Sequence, residues 1–431
     1  AGLLPLLHEV PCGRAAGLAE RLEPVRLPRG SCVFEQGAEG AEVWLVEEGE
    51  LQELVGGRPA RVVGRNGHCG LRAALLGEPR RSTVRVLSEE ARLWRLPGEV
   101  FVAEVPEGAR QELAWRLEYR LTDVALADLR PGRVLGRGGF GSVRRVEHRT
   151  APLEYALKRV RKRHGHVELM VARECALLSE LDHPFVLLLV KTFDTASSVY
   201  ILTELLTGGD LLTALDVIAR PLTRPEAQFY AGSLLLVLEF LHDRRIVFRD
   251  LKPENVMLDA GGYVKLIDFG TAKKLEGPGE GRAFTRVGSP HFMAPEVVKG
   301  RGYGTAVDWW SLGVMLFEFV CGYLPFARDV ADPTGVEVCR AVQLENLAFP
   351  PRYADRPGKY LLRGLLSKEP EARLGAGAGG RDCLREHEYF AAPGGLFEHL
   401  LRRQVAPPHL PGAGAPAEEG GAASELSELG G

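Results

Sequence analysis

"IVFRDLKPENVML" (residues 246–258) sets two carboxylates, an arginine, a lysine and an asparagine between apolar ends. Shortly downstream, "VKLIDFGTAKKL" (264–275) places another carboxylate, Asp268, at the end of an apolar run. Both segments read as short strands that deliver acids to their ends. Asp250, Lys252, Asn255 and Asp268 supply one base, one cation and two oxygen ligands. In-line phosphoryl transfer with Mg²⁺ requires that set. In this reading Asp250 accepts a hydroxyl proton, Lys252 neutralises the migrating phosphoryl group, and Asn255 and Asp268 hold the metal.

Upstream, "LGRGGFGSV" (135–143) carries Gly136, Gly138 and Gly141 in GxGxxG spacing. Dinucleotide folds use the same spacing, and so do chance loops in a chain with 51 glycines. A dinucleotide site needs a helix after the last glycine. Here "SVRRVEH" follows, with Val143 and Val146 in a strand-like segment. A strand–glycine–strand hairpin folding over phosphates and a plain hairpin both fit the loop taken alone. "YALKRV" (155–160) then puts Lys158 in an apolar strand, where an ammonium needs an anionic partner. The helix "VELMVARECALLSEL" (167–181) offers Glu168, Glu174 and Glu180, with Glu174 the best placed. The competing reading is a Lys158 that snorkels to solvent.

With "MAPE" (293–296) and "VDWWSLG" (307–313), these pieces stand in the order and at the spacings of the eukaryotic protein kinases. The chain resembles that family from Leu135 to about Phe390. The "DLKPEN" loop is similar to that of serine/threonine kinases, and other features point to their AGC group. The resemblance implies ATP as phosphoryl donor and Mg²⁺ as metal. It places Leu135, Gly136, Gly138, Gly139, Phe140 and Gly141 at the nucleotide, with Val143 and Ala156 around adenine. Glu174 would pair with Lys158, Thr203 would be the gatekeeper, Glu204 and Leu206 would offer hinge backbone groups, and Asp210 would meet the ribose. Asp308 would lie buried in the central helix, and Arg373 would pair with Glu296. Two departures stand out. The histidine usual at the head of the catalytic loop is Phe248, as is common in the AGC group, and no aromatic residue follows Phe397 to form that group's C-terminal docking motif.

In "GRAFTRVGSPHFMAPE" (281–296), Thr285 stands where the family carries an activating phosphate, which Arg249 and Lys273 would bind. The bland alternative is an unmodified surface threonine. Ser289 would line the pocket just beyond the target residue. Asp210, Glu254 and Glu318 resemble the acidic cluster that selects Arg-rich substrates, since grouped carboxylates pair with guanidinium and repel acidic peptides. For Asp210 a solvated surface role competes. Thr271 hints that threonine targets are accepted.

Residues 27–96 read as short strands with turns every eight to twelve residues, a β-barrel or roll. Within them "CGLRAALLGEPRRSTV" (69–84) holds one apolar turn, Leu71 to Leu76, closed by Gly77-Glu78-Pro79 and followed by two arginines. A guanidinium returned over free helix N–H groups makes an anion site, and a solvated turn is the alternative. With "EQGAEGAEVWLVEEGEL" (35–51) the segment resembles a cyclic-nucleotide-binding domain and its phosphate cassette. A β-roll, a helix over 107–129 with Leu113, Leu117, Leu121 and Val124 on one stripe, then a kinase, resembles the cGMP-dependent protein kinases, most of all their protist and algal branch. Gly70, Arg80 and Thr83 would contact the cyclic nucleotide. The family's Phe-Gly-Glu is Cys69-Gly70-Leu71 here, so the acceptor for the ribose 2′-hydroxyl is gone. That loss costs on the order of 1.5–3 kcal/mol, ten- to hundredfold in affinity. Arg81 occupies the position that sets preference between cGMP and cAMP. Two functions follow: a kinase switched by cyclic nucleotide, cGMP ahead of cAMP, or a kinase controlled at Thr285 whose first domain only docks or inhibits.

The expected fold class is α+β: a cyclic-nucleotide-binding β-roll with flanking helices (1–106), a connecting switch helix (107–128) and a bilobal kinase fold. The kinase would span 129–390, its N-lobe 129–203 and its C-lobe 207–390. A C-terminal extension (391–431) would end in a disordered acidic tail. A length of 431 residues suits two to three domains, and a net charge of −3 argues against bulk binding to nucleic acid or membranes. No apolar run approaches a bilayer span. Seven scattered cysteines without a CxxC pair point to a reducing cytoplasm. The chain begins at Ala1 rather than at methionine and shows no signal peptide, so upstream sequence is expected, and the resemblance implies further cyclic-nucleotide domains there.

Overall fold

The computed structural model describes residues 20–411, except 66, 106–109, 111–112, 114–115, 118, 120–123, 139–140, 164–165, 276–280, 329, 377–379, 381 and 393–394. Of the tail expected to be disordered from about residue 405, residues 412–431 lie outside the described residues, whereas 405–411 pack on the chain. The chain divides into two units, residues 1–122 with 401–404, and residues 123–400 with 405–431.

The first unit is built from β1 (Glu23–Pro28), β2 (Cys32–Phe34), β3 (Val43–Glu48), β4 (Leu51–Val55), β5 (Arg58–Val63) and β6 (His68–Cys69). Helix α1 (Leu71–Leu76), β7 (Thr83–Val86), β8 (Glu90–Leu96) and α2 (Gly98–Glu104) follow. Two four-stranded sheets form, in the orders β1-β8-β3-β6 and β2-β7-β4-β5. Pro24, Pro28 and Pro59 lie on the edge strands β1 and β5, where a missing N–H costs no ladder bond. The pleat of β3 and β8 serves two cores. Val46, Ala91 and Leu93 face the interior of the roll with Leu51, Val63, Cys69, Val84 and Val86. Val43, Leu45 and Leu96 face Leu71, Phe101, Val105 and Leu113. Residues 110, 113, 116, 117 and 119 are helical, but the helix expected across 107–129 does not reach Val124. Ala125 is extended, and its N–H is taken by the Asp128 carboxylate at 2.8 Å, which closes a single 3₁₀ turn at Leu126–Asp128.

The second unit opens with a five-stranded antiparallel sheet. Its strands are β9 (Leu129–Gly138), β10 (Gly141–His148), β11 (Glu154–Arg161), β12 (Leu189–Asp194) and β13 (Ser198–Glu204), in the order β12-β13-β11-β10-β9. Helix α3 (Leu169–Glu180) packs with it through Val171 against Val160, Val199 and Ile201. A helical lobe follows: α4 (Leu211–Ile218), α5 (Arg224–Asp243), α6 (Pro295–Val298), α7 (Ala306–Cys321), α8 (Gly335–Leu344), α9 (Arg356–Leu365), α10 (Asp382–Arg385) and α11 (Leu396–Leu401). Between α5 and α6 lie two hairpins, β14 (Ile246–Val247) with β17 (Lys273–Lys274), and β15 (Val256–Leu258) with β16 (Val264–Leu266). Helix α7 is mostly apolar and buried at every residue except Ala306 and Glu318, so it is the core of this lobe. Arg373, fully buried, grips Glu296 with two bonds of 2.7 and 3.0 Å and also donates to the carbonyls of Ala306 and Ser367. The last described segment crosses the β15–β16 hairpin, where Tyr263 Oη donates to the Val405 carbonyl at 2.6 Å. Gly262 is at φ 82°, and a Cβ there would meet the His409 carbonyl at 2.5 Å. Among the described residues no helix is long and apolar enough to cross a membrane.

Candidate active site

Strand register assembles one wall of the site. Val143 lies opposite Gly136 and Lys158, and Ala156 opposite Thr203. Directly paired residues share a sheet face, and alternate residues return to it. Val143, Ala156, Lys158 and Thr203 therefore look the same way. Gly141 is obligatory. Its φ is 150°, and a Cβ there would sit 1.8 Å from the Arg159 carbonyl oxygen. Leu135 is exposed at the rim, while Gly139 and Phe140 lie outside the described residues. Lys158 Nζ reaches Glu174 Oε2 of α3 at 2.8 Å, and Glu174 is 6% exposed. The ammonium is paired rather than snorkelling.

At the hinge, the Glu204 N–H goes to the Leu188 carbonyl, and its own carbonyl accepts the Thr203 hydroxyl at 3.2 Å. Leu206 is buried beside it. The Glu204 side chain does something the sequence did not reveal: it forms an ion pair with Lys265 of β16 at 3.0 Å, both side chains 1% exposed. The same oxygen, Oε1, accepts the Leu188 N–H at 2.7 Å.

The catalytic loop hangs from α7. Asp308 accepts the backbone N–H groups of Phe248 (2.9 Å) and Arg249 (2.8 Å), and His242 Nε2 lies 2.8 Å from the same carboxylate. These bonds hold Arg249 at φ 75°, a strained conformation for a residue with a Cβ. Phe248 meets Phe269 edge-on, centroids 5.2 Å apart, so a ring still fills the place of the usual histidine. Asp250 is the focus. Asn255 Nδ2 donates to its carbonyl (2.8 Å) and to Oδ2 (3.0 Å), and Lys252 Nζ lies 3.2 Å from Oδ2. Ser289 donates to Oδ1 through its N–H (2.8 Å) and its hydroxyl (3.0 Å), while Lys252 Nζ donates to Ser289 Oγ at 2.8 Å. Gly288 (φ 110°) lets the chain pass here, because a Cβ would lie 2.6 Å from the Arg249 carbonyl.

Asp268 adopts a left-handed backbone (φ 61°), and its Oδ1 accepts the Gly270 N–H at 3.2 Å. It is exposed, with its second oxygen available. The Asn255 amide nitrogen is committed to Asp250, which turns the amide oxygen the other way. Two hard oxygen donors of this kind fit Mg²⁺.

Thr285 is exposed. Its carbonyl accepts Tyr303 Oη at 2.6 Å, and that hydroxyl lies 3.3 Å from Arg249 Nη1. Lys273 is paired with Val247 on the neighbouring strand. Asp210 caps α4 by accepting the Thr213 N–H at 2.7 Å. Glu254 is exposed, and Glu318 is the charged residue of α7 that is not fully buried. Burial first, then Glu254 and Asp216, push the Glu318 carboxyl up to about 7. Its Oε2 has no hydrogen-bond partner among the described residues. Asp216 joins Glu254 and Glu318 electrostatically, an addition that spacing in the sequence gave no reason to expect.

In the first unit, Gly70 stands at φ 82° before α1. Arg80 is 4% exposed, lies over the Phe34 ring at 4.4 Å, and donates to the Gly70 carbonyl (3.0 Å), the Glu42 carbonyl (2.9 Å) and Glu42 Oε2 (2.9 Å). Burial holds this guanidinium below its ordinary basicity, and Glu42 offsets part of that loss. Arg81 pairs with Glu78 at 3.2 Å, and Arg72 binds the same carboxylate at 2.8 Å. Thr83 Oγ1 accepts the Gln36 N–H at 3.0 Å. Leu71 is 2% exposed inside the apolar cluster.

The chain matches the family described as "Protein kinase domain" over residues 129–390. It matches "Cyclic nucleotide-binding domain" over residues 24–105. A protein named "cGMP-dependent protein kinase" from Eimeria tenella is 39% identical over 421 residues, covering 95% of this chain and 41% of that protein. Its namesake from Toxoplasma gondii is 38% identical over 411 residues, covering 93% and 40%. "Serine/threonine-protein kinase N3" from Mus musculus is 37% identical over 299 residues, covering 68% and 33%. The chain spans about two fifths of the length of the first two relatives.

Proposed function

The chain belongs to the protein kinase family, and on that premise we propose that it phosphorylates serine or threonine in basic protein substrates under control of a cyclic nucleotide. ATP is the donor, and cGMP is the favoured regulator over cAMP. The observation that carries the chemistry is the convergence of Lys252, Asn255 and Ser289 on the Asp250 carboxylate. The observation that carries the regulation is the β-roll with Arg80 at its cassette, together with the likeness to proteins named cGMP-dependent protein kinase.

Asp250 takes the proton of the substrate hydroxyl as its oxygen bonds to the γ-phosphorus and the bridging β–γ P–O bond breaks, releasing ADP. A carboxylate offers about four acceptor positions, and four donors fill them already. Of these, only the Ser289 hydroxyl is neutral and free to rotate, so it yields to the incoming hydroxyl. Lys252 stays within reach of the transferring group. Lys158, held by Glu174, positions the donor's phosphates. Asn255 and Asp268 would hold Mg²⁺, which when bound offsets charge on the phosphate oxygens.

Glu254, Glu318 and Asp216 support a preference for guanidinium in the substrate, and Asp210 adds a carboxylate oxygen not used in capping α4. Phosphate on Thr285 would fall near Arg249 and Lys273 and lock the segment to the catalytic loop through Tyr303. Cysteines scattered singly along the sequence, without a CxxC pair, support a reducing, cytoplasmic setting. Leu71 in the core and Arg80 with an internal counter-ion favour a second reading, in which the first unit docks or inhibits without ligand.

Transfer of labelled phosphate to an Arg-rich peptide, with and without cGMP or cAMP, decides between them. Stimulation that vanishes in Arg80→Ala supports the first reading. An unchanged rate with intact basal activity supports the second, and a rate that then depends on Thr285 completes it. No transfer by protein phosphorylated at Thr285 defeats both.

A further inference from the structure

Arg80 is walled in. A Cβ at Gly70 would lie 2.4 Å from Nη1, and one at Gly40 would lie 3.4 Å from Nη2, so two glycines let the chain close around the guanidinium. A cation this buried needs a counter-charge at hydrogen-bond distance. The chain supplies one itself, because Glu42 Oε2 is 2.9 Å from Nη2. The two partners differ in a telling way: the Arg80 side chain is 2% exposed and the Glu42 side chain 40%. The arginine is fixed by the Gly70 and Glu42 carbonyls and the Phe34 ring whether or not the carboxylate stays. The carboxylate, by contrast, has solvent on one side into which it can turn.

We propose that Glu42 is a built-in competitor for the ligand's phosphate at Arg80, so that an anion enters only by displacing this carboxylate. The inference rests on the reading of the first unit as a cyclic-nucleotide site. A cyclic phosphodiester carries one negative charge, and so does Glu42. Two such anions beside one buried guanidinium repel each other, and with Leu71 in place of an acceptor the ligand has one fewer contact to offset the exchange. Neighbouring charge does not help, because Arg81 and Arg72 are already committed to Glu78. Glu42 thereby sets how much nucleotide the domain needs before it responds.

The test is calorimetric titration of the whole 431-residue chain with cGMP and with cAMP. Wild type, Glu42→Gln, Glu42→Ala and Arg80→Ala are compared, each first shown by thermal unfolding to be folded. Glu42→Gln keeps the shape and removes the charge, and Glu42→Ala guards against a glutamine that still bonds Arg80. Expected is binding at least tenfold tighter in both Glu42 variants than in wild type, including the case where wild type binds too weakly to measure, and lost in Arg80→Ala. Binding in wild type that is no weaker than in the Glu42 variants, with Arg80→Ala inactive, overturns the competitor and leaves the cyclic-nucleotide reading standing. No binding in any protein, or equal binding in Arg80→Ala, overturns both.

Discussion

Replacing Lys265 by methionine removes the positive half of a pair whose side chains are each 1% exposed and whose atoms are 3.0 Å apart. Glu204 would remain buried without its counter-charge, with the Leu188 N–H at 2.7 Å still donating to it. Breaking a buried pair from one side costs about 3–5 kcal/mol, because the surviving charge stays desolvated. For a unit of this size each kcal/mol lowers the melting temperature by about 2 °C, so Lys265→Met should melt roughly 6–10 °C below wild type. The decisive comparison is the double variant Lys265→Met/Glu204→Gln. Glutamine still accepts the Leu188 N–H but carries no charge, so the double variant should recover most of the loss. Differential scanning fluorimetry gives the melting temperatures, and ATP titration of the kinase rate reports the hinge, where the single variant should raise KM more than the double. A Lys265→Met cost under about 1 kcal/mol, or a double variant no more stable than the single, would refute the reasoning.

Three further outcomes are expected. Because burial and the nearby carboxylates hold Glu318 near 7, it gains a proton and loses its charge below that pH. KM for an Arg-rich peptide should fall several-fold as pH rises from about 6 to about 8, and Glu318→Gln should flatten that slope; a slope surviving in the variant would assign it elsewhere. Lys158→Met should lower kcat by roughly a hundredfold or more, and an active variant would remove Lys158 from the site. Gly141→Ala must push the Arg159 carbonyl aside, so ATP KM should rise at least about tenfold, read from initial rates.

Much of the catalytic site was legible because its chemistry sits in short contiguous runs. Asp250, Lys252 and Asn255 fall within six residues, and local strand and turn geometry alone brings them together. Lys158 and Glu174 were readable for another reason: an ammonium in an apolar strand demands an acid, and the next helix offers Glu174 among its three glutamates. The Lys265–Glu204 pair was not readable, since each residue looks like an ordinary alternating member of its strand until β13 and β16 come together. Glu42 is hidden similarly, in an acid-rich run from which only the roll's closure selects it for Arg80, 38 positions away. The connecting helix was over-read: leucine spacing continued through Val124, but the pattern carries no sign that Asp128 would take the Ala125 N–H and end the run. Phe248 departs from the histidine usual at its position, and its packing against Phe269 shows only in three dimensions.

The Glu296–Arg373 grip also bears on how the chain is made. Its partners are 77 positions apart, and Arg373 ties Glu296 to the Ala306 and Ser367 carbonyls as well. While the ribosome is still translating the residues in between, Glu296 has no guanidinium to meet and α7 has no cover from α9. The five-stranded sheet can pair as soon as β13 emerges, since all its strands lie within residues 129–204. The helical lobe must wait with its central, buried helix uncovered, and that interval is when a nascent chain of this sequence most needs a chaperone's shelter.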